Sequence, residues 1–215
     1  MYMTLREWQQ TIKSEDELLY NCSEFTHLND EWVPFPIGMG WSVINYNGQI
    51  KNIQIGLHNN MVLCAIRTHT DKNRRGNYHI NRENIVNTLI NNNIHNVELN
   101  FSNYFKELPT YKFVISPEGN GIDCHRHYES LMAGCIPIIE EHPGIREKYA
   151  GCPVLYTKDY SEITEDYLKE TYTCMLDTVY DFSKLMLSSY DSSTQNEIKS
   201  NGNYWARRLS GRNWY

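Results

Sequence analysis

The stretch Ser116 to Glu129, SPEGNGIDCHRHYE, concentrates the side chains best suited to chemistry. Gly119 and Gly121, with Asn120 between them, fall between an apolar run and a helical pattern, where bare backbone N–H groups can face a phosphate. His125, Arg126 and His127 then occupy the first turn of the expected helix. A helix N-terminus carries roughly half a positive charge, and cations there are unfavourable by about 0.3–1 kcal/mol. Such a placement calls for an anion. Asp123 within the chain is one candidate, and a bound pyrophosphate gripped by the Arg126 fork is the other. Glu129 lies one helical turn beyond Arg126, where a carboxylate can accept hydrogen bonds from both hydroxyls of a ribose.

Other chemistries fit less well. Gly119-x-Gly121-x-x ends on Cys124, where a dinucleotide fingerprint needs glycine or alanine. Cys124, His125 and His127 point in different directions on a helix and have no second ligand pair, so the expectation is no metal. A Gly-x-Ser-x-Gly elbow and a Walker lysine are both missing from the sequence.

The elements that must position this segment alternate. Tyr111–Ser116 reads as a strand, and Asp123–Ala133 as a helix ended by Gly134. Cys135–Ile139 and Pro153–Tyr156 read as further strands, separated by a short helix over Pro143–Tyr149 and followed by a long one over Thr164–Tyr180. That spacing predicts a parallel, Rossmann-like α/β sheet. Upstream, Thr4 with Glu7 and Ser14 with Glu17 make two capping boxes, so helices are expected from Leu5 and through Leu18 and Leu19. Trp32–Trp41 is a loop rich in aromatics. Met61–Arg67 is an apolar strand, Asn81 caps a helix to Ile90, and His95–Phe101 alternates like a strand. Gln195–Leu209 forms a terminal helix, interrupted near Asn201-Gly202.

Composition sets the class. The 215 residues are 40% hydrophobic and 21% charged, which is enough to fold. A formal charge of −6 gives no basic field for nucleic acid, although a few local donors still suffice for a nucleotide. No apolar run nears the roughly 20 residues of a spanning helix, and MYMTLREWQQ has no secretory h-region. Six scattered cysteines without a C-x-x-C pair suggest free thiols in a reducing compartment, so the expected location is cytoplasmic.

Residues Tyr111–Thr164 resemble the donor-binding half of exostosin-family glycosyltransferases. The resemblance rests on Pro117, Gly119, Gly121, Asp123, Arg126, Glu129 and the run Gly134-Cys135-Ile136-Pro137, echoed by Pro153, Val154 and Asp159-Tyr160. Looser similarity covers Pro34–Gly38 and Thr70–Arg75. It implies a GT-B fold of two small Rossmann-like units with a cleft between them. Residues 1–108 would be the acceptor side, 109–194 the nucleotide-sugar side, and 195–215 a helix returning to the first unit.

The resemblance also implies a glycosyltransferase that moves a sugar from a nucleoside-diphosphate sugar, UDP-sugar favoured, to a glycan acceptor. Gly119, Asn120, Gly121 and Asp123 would line the phosphates with Arg126 and Arg74, and Glu129 would hold the ribose. The Glu-x7-Glu pattern of retaining relatives is missing, since counting on from Glu129 reaches Pro137, so inversion is expected. Inversion needs a general base from the N-terminal half. Asp71 and Glu31 lead, with Asp30, His58 and His69 behind them, and no metal or other cofactor is implied. The alternative is a non-catalytic nucleotide- or glycan-binding domain of a larger assembly.

Overall fold

In the computed structural model the described residues are 1–22, 33–40, 43, 52–53, 55–76 and 80–215. The chain begins with β1 (Tyr2–Thr4) and α1 (Leu5–Gln10). The first capping box forms as expected: Glu7 N–H donates to Thr4 Oγ1 at 3.2 Å, and Thr4 N–H to Glu7 Oε2 at 2.7 Å. The second does not form. Ser14 makes no capping bond, Glu17 instead accepts from the Ser188 amide and hydroxyl, and residues 15–17 are a single 3₁₀ turn. Leu18 and Leu19 lie in extended chain beyond it, fully buried.

After β2 (Lys13–Ser14) and its antiparallel partner β3 (Asn52–Ile53), β4 (Asn60–Leu63) starts the main sheet. Three short helices follow: α2 (Lys72–Arg75), α3 (Arg82–Ile90) and α4 (Phe101–Glu107). Then come β5 (Tyr111–Ile115), α5 (His125–Met132), β6 (Ile136–Glu140), α6 (Pro143–Lys148) and β7 (Leu155–Thr157). The sheet is wholly parallel in the order β4-β5-β6-β7, with Val62 opposite Phe113, Phe113 opposite Ile136, and Ile138 opposite Leu155. Every residue of β6 is buried, as a strand covered on both faces requires. The chain is therefore mixed α/β with a parallel, Rossmann-like sheet. β4 hydrogen-bonds β5 directly, so this sheet runs across the boundary expected at residue 108.

The expected strand over His95–Phe101 is corrected. Residues 95–100 are irregular, held by one ladder-like bond from Val97 N–H to Cys64 C=O at 2.8 Å. Asn96 satisfies both backbone groups of Ile66 with its side chain, and Asn100 caps α4 by accepting from Asn103 N–H. Asparagine chemistry overrides the alternating pattern.

Downstream, α7 (Glu165–Leu176), capped by Thr164, ends earlier than expected, because Val179–Asp181 forms β8, antiparallel to β1. The terminal helix α8 (Ser192–Ser210) runs through Gly202 without a break. A Cβ there would stand 2.7 Å from the Tyr20 carbonyl, so the glycine permits close docking rather than ending the helix. Tyr215 OH donates to Leu18 C=O at 2.8 Å, and Trp214 stacks on Tyr20, joining this end of the chain to residues 18–22. No helix among the described residues is long and apolar enough to cross a membrane.

Candidate functional site

A cleft of about 1020 Å³ opens beyond the C-terminal ends of β4 and β5. Carboxyl ends of parallel strands are where open α/β sheets bind ligands. One wall is the loop after β5 with the first turns of α5: Gly119, Asn120, Gly121, Asp123, Arg126 and Glu129. Facing it are Arg67 to Thr70, the segment leaving β4. Leu99, Phe101, Tyr104 and Phe105 add an apolar side, and Ile37 and Gly40 the rim.

The loop is shaped by charges beneath it. Glu118 pairs with Arg74 and with Arg75, the latter at 2.6 Å. Arg75 also reaches Glu140 Oε1 at 2.9 Å, while Glu140 Oε2 accepts the Glu118 N–H at 3.0 Å. Burial pushes the Glu118 carboxyl up, but the two arginines outweigh it and hold the group below its ordinary range. Arg74 Nε donates to Gly119 C=O at 3.1 Å, so Arg74 braces the loop from outside the cleft lining. Gly119 N–H is engaged internally, by Gly121 C=O at 3.0 Å. A Cβ on Gly119 would lie 2.9 Å from the Arg82 guanidinium, whereas one on Gly121 would meet nothing closer than 3.6 Å. Gly121 is thus the open face of the loop.

On α5 the three basic residues separate. His127 is fully buried, and burial drives its pKa down to about 4. Its Nε2–H donates to Ile122 C=O at 3.2 Å, leaving neutral Nδ1 to accept from Ser116 Oγ at 2.7 Å. The expected cation is therefore a neutral pin between loop and strand. His125 Nδ1 donates to Gly38 C=O at 2.9 Å. Gly38 has φ +82, and a Cβ there would stand 2.5 Å from Leu19 backbone atoms, so only glycine brings this carbonyl to the helix. Arg126 is the permanent cation of the three. Its Nε–H is buried without a hydrogen-bond partner among the described residues, and its guanidinium lies 5.4 Å from the Tyr104 ring centre.

Of the carboxylates, Asp123 borders the cleft, yet its oxygens serve the fold. Oδ2 accepts from Lys148 Nζ and Ile37 N–H, both at 2.9 Å, and Oδ1 from Tyr149 OH at 2.7 Å. Glu129 is buried and accepts from Gly40 N–H at 3.1 Å, and burial raises its pKa. Asp71 is 1% exposed and stands outside the lining. It accepts the Arg82 N–H at 2.8 Å. His58 is also buried away from the cleft, bonded to Tyr111 C=O at 2.7 Å, whereas His69 lies exposed on the wall facing Gly119. Glu31 and Asp30 lie outside the described residues, as do Trp32 and Trp41.

Sequence reasoning missed Arg82, although a cation in a first helical turn is the same local signal that marked Arg126, and it missed the Arg75–Glu140 brace because nothing local marks a strand-end glutamate as joining distant segments. No group of three or more metal-ligating side chains is present among the described residues. No family model matches the chain, and no curated protein is similar to it at a significant level.

Proposed function

We propose that the chain binds a nucleoside-diphosphate sugar, UDP-sugar favoured, in the cleft beyond β4 and β5, and transfers the sugar to a glycan acceptor. The observation that carries this reading is Arg126. It is a cleft-lining guanidinium with a buried, unsatisfied Nε–H, beside an open Gly121 and one turn from Glu129. A diphosphate supplies the acceptor atoms and negative charge that such a group lacks. Glu129 offers a carboxylate for ribose hydroxyls, and Phe101, Tyr104 and Phe105 offer ring faces to a base or sugar. In this reading the leaving diphosphate is stabilised by arginine and backbone dipoles, so transfer survives EDTA. The general base falls to His69, the exposed imidazole on the facing wall.

The burial of Asp71 favours a second reading, a nucleotide- or glycan-binding domain without transfer chemistry. A thermal-shift panel of UDP, GDP, dTDP and CMP, followed by donor turnover in the preferred case, tests both. A ligand at about 100 times its Kd adds roughly 2.7 kcal/mol of stability. Stabilisation with turnover that His69→Ala abolishes supports the transferase. Stabilisation without turnover supports the binding domain, and no response to any nucleotide removes the transferase and nucleotide-binding readings and leaves only glycan binding.

A further inference from the structure

Arg82 opens α3, with Asn81 capping the helix and the Arg82 N–H held by Asp71 Oδ2 at 2.8 Å. From that fixed base its guanidinium reaches under the cleft. Nε donates to Glu118 C=O at 2.8 Å, one terminal nitrogen to Pro117 C=O at 2.9 Å, and the other to Arg67 C=O at 3.3 Å. Pro117 and Glu118 leave β5, and Arg67 leaves β4. One side chain therefore ties the two walls together.

Its guanidinium makes no direct ion pair. The nearby acids Glu118 and Glu140 contact Arg74 and Arg75 directly, and Asp71, which holds the Arg82 N–H, completes three carboxylates against the three arginines. Arg82 has no carboxylate in ion-pair contact among the described residues, although it is only 6% exposed and lines the cleft. Buried cations are as a rule paired, and three bonded N–H groups out of a guanidinium's five leave two to give. Burial pulls the Arg82 pKa down and Arg126, which also lines the cleft, pulls the same way, against Asp71 and Glu140, which raise it. Two like charges facing one cleft are an arrangement that a shared anion relieves.

We propose that Arg82 is a second anion-binding residue, acting with Arg126 on a diphosphate, and that residue 119 is glycine to make room for the Arg82 guanidinium. The diphosphate assignment deepens the nucleotide-sugar reading and rests on it, but the anion clamp itself is testable with inorganic pyrophosphate alone. Calorimetric titration of pyrophosphate into the wild type, Arg82→Gln, Arg82→Lys and Gly119→Ala is the experiment. Arg82→Gln is expected to weaken binding about 10-fold or more, and Gly119→Ala to weaken it by displacing the guanidinium. Arg82→Lys, which keeps the charge, should bind more tightly than Arg82→Gln. Equal loss in the lysine and glutamine variants means the loop collapsed without its brace, and overturns the proposal, as does unchanged affinity in a folded Arg82→Gln.

Should Arg82→Gln fail to fold, the Arg Nε–H resonances of the wild type decide. Saturable shifts of both Arg82 and Arg126 with pyrophosphate support the clamp, and a silent Arg82 overturns it. Pyrophosphate bound through Arg82 that no nucleoside diphosphate displaces keeps the clamp and removes the nucleotide-sugar reading. Nucleotide binding indifferent to Arg82 does the reverse.

Discussion

Replacing Asp123 by asparagine keeps the side chain's size and removes its charge. The carboxylate is 7% exposed, with Lys148 Nζ at 2.9 Å, the Ile37 amide at 2.9 Å and the Tyr149 hydroxyl at 2.7 Å. It ties the rim of the cleft to α6, so it acts as framework. Breaking a buried ion pair from one side costs about 3–5 kcal/mol. For a chain of this size each kcal/mol shifts the melting temperature by about 2–4 °C, so Asp123→Asn should melt roughly 6–20 °C lower.

The pH dependence follows from the same contacts. Burial alone would raise the Asp123 pKa, but Lys148 and the Tyr149 hydroxyl, with the neighbouring groups, together outweigh it and the group sits below its ordinary value. A depressed folded-state pKa means stabilisation that is complete above the unfolded value, about 3.9, and lost as pH falls through the folded one. Wild-type and Asp123→Asn melting curves, followed by circular dichroism from neutral to acid pH, should therefore converge at low pH. A variant that melts within about 2 °C of wild type at neutral pH, yet loses nucleotide binding, would refute the framework assignment and make Asp123 a ligand group.

Three further outcomes are expected. A Cβ at Gly56 would overlap the Pro109 carbonyl, so Gly56→Ala should lose about 1–3 kcal/mol or more in urea unfolding. Lys13 donates to Trp8 C=O at 2.6 Å from a buried position, where burial lowers its pKa to about 7. Between that value and the unfolded value of about 10.4 the unfolded chain binds more protons, so wild type should gain on Lys13→Met by up to about 1.4 kcal/mol per pH unit as pH rises. Burial raises the thiol pKa of Cys124 to about 11 and of Cys64 and Cys152 to about 12, and Cys22 and Cys135 also rise. Ellman's reagent should accordingly find one fast thiol, exposed Cys174, in the native protein and six in urea.

The β5–loop–α5–β6 unit was legible because its signals are local and agree with one another. An apolar run leads into it, Gly134 takes a left-handed φ of +79 just past α5, and a second apolar run follows. Upstream the local signals compete. Val97, Leu99 and Phe101 alternate as a strand would, but the side chains of Asn96 and Asn100 satisfy backbone groups that a strand would have paired. β8 has only three residues and exists through its pairing with β1, at the far end of the chain, so no window of sequence contains its cause. The site divides in the same way. Arg126 stood out because a cation in a helix's first turn is locally anomalous. Asp123 looked like a ligand group for want of visible partners, which come from positions 37, 148 and 149. Arg82 carries the same first-turn anomaly, but its meaning lies in carbonyls contributed by residues 67, 117 and 118, which no local window contains.

The central claim is that the Arg126 guanidinium, whose Nε–H has no partner among the described residues, receives the phosphates of a nucleoside diphosphate. Calorimetric titration of UDP into wild type and Arg126→Ala tests it most directly, with matched melting curves to establish that both are folded. Loss of a charge-assisted contact worth about 1.5–3 kcal/mol predicts a Kd raised about 10- to 150-fold. Equal affinity in the two proteins, or no UDP, GDP or dTDP binding to wild type, would contradict it.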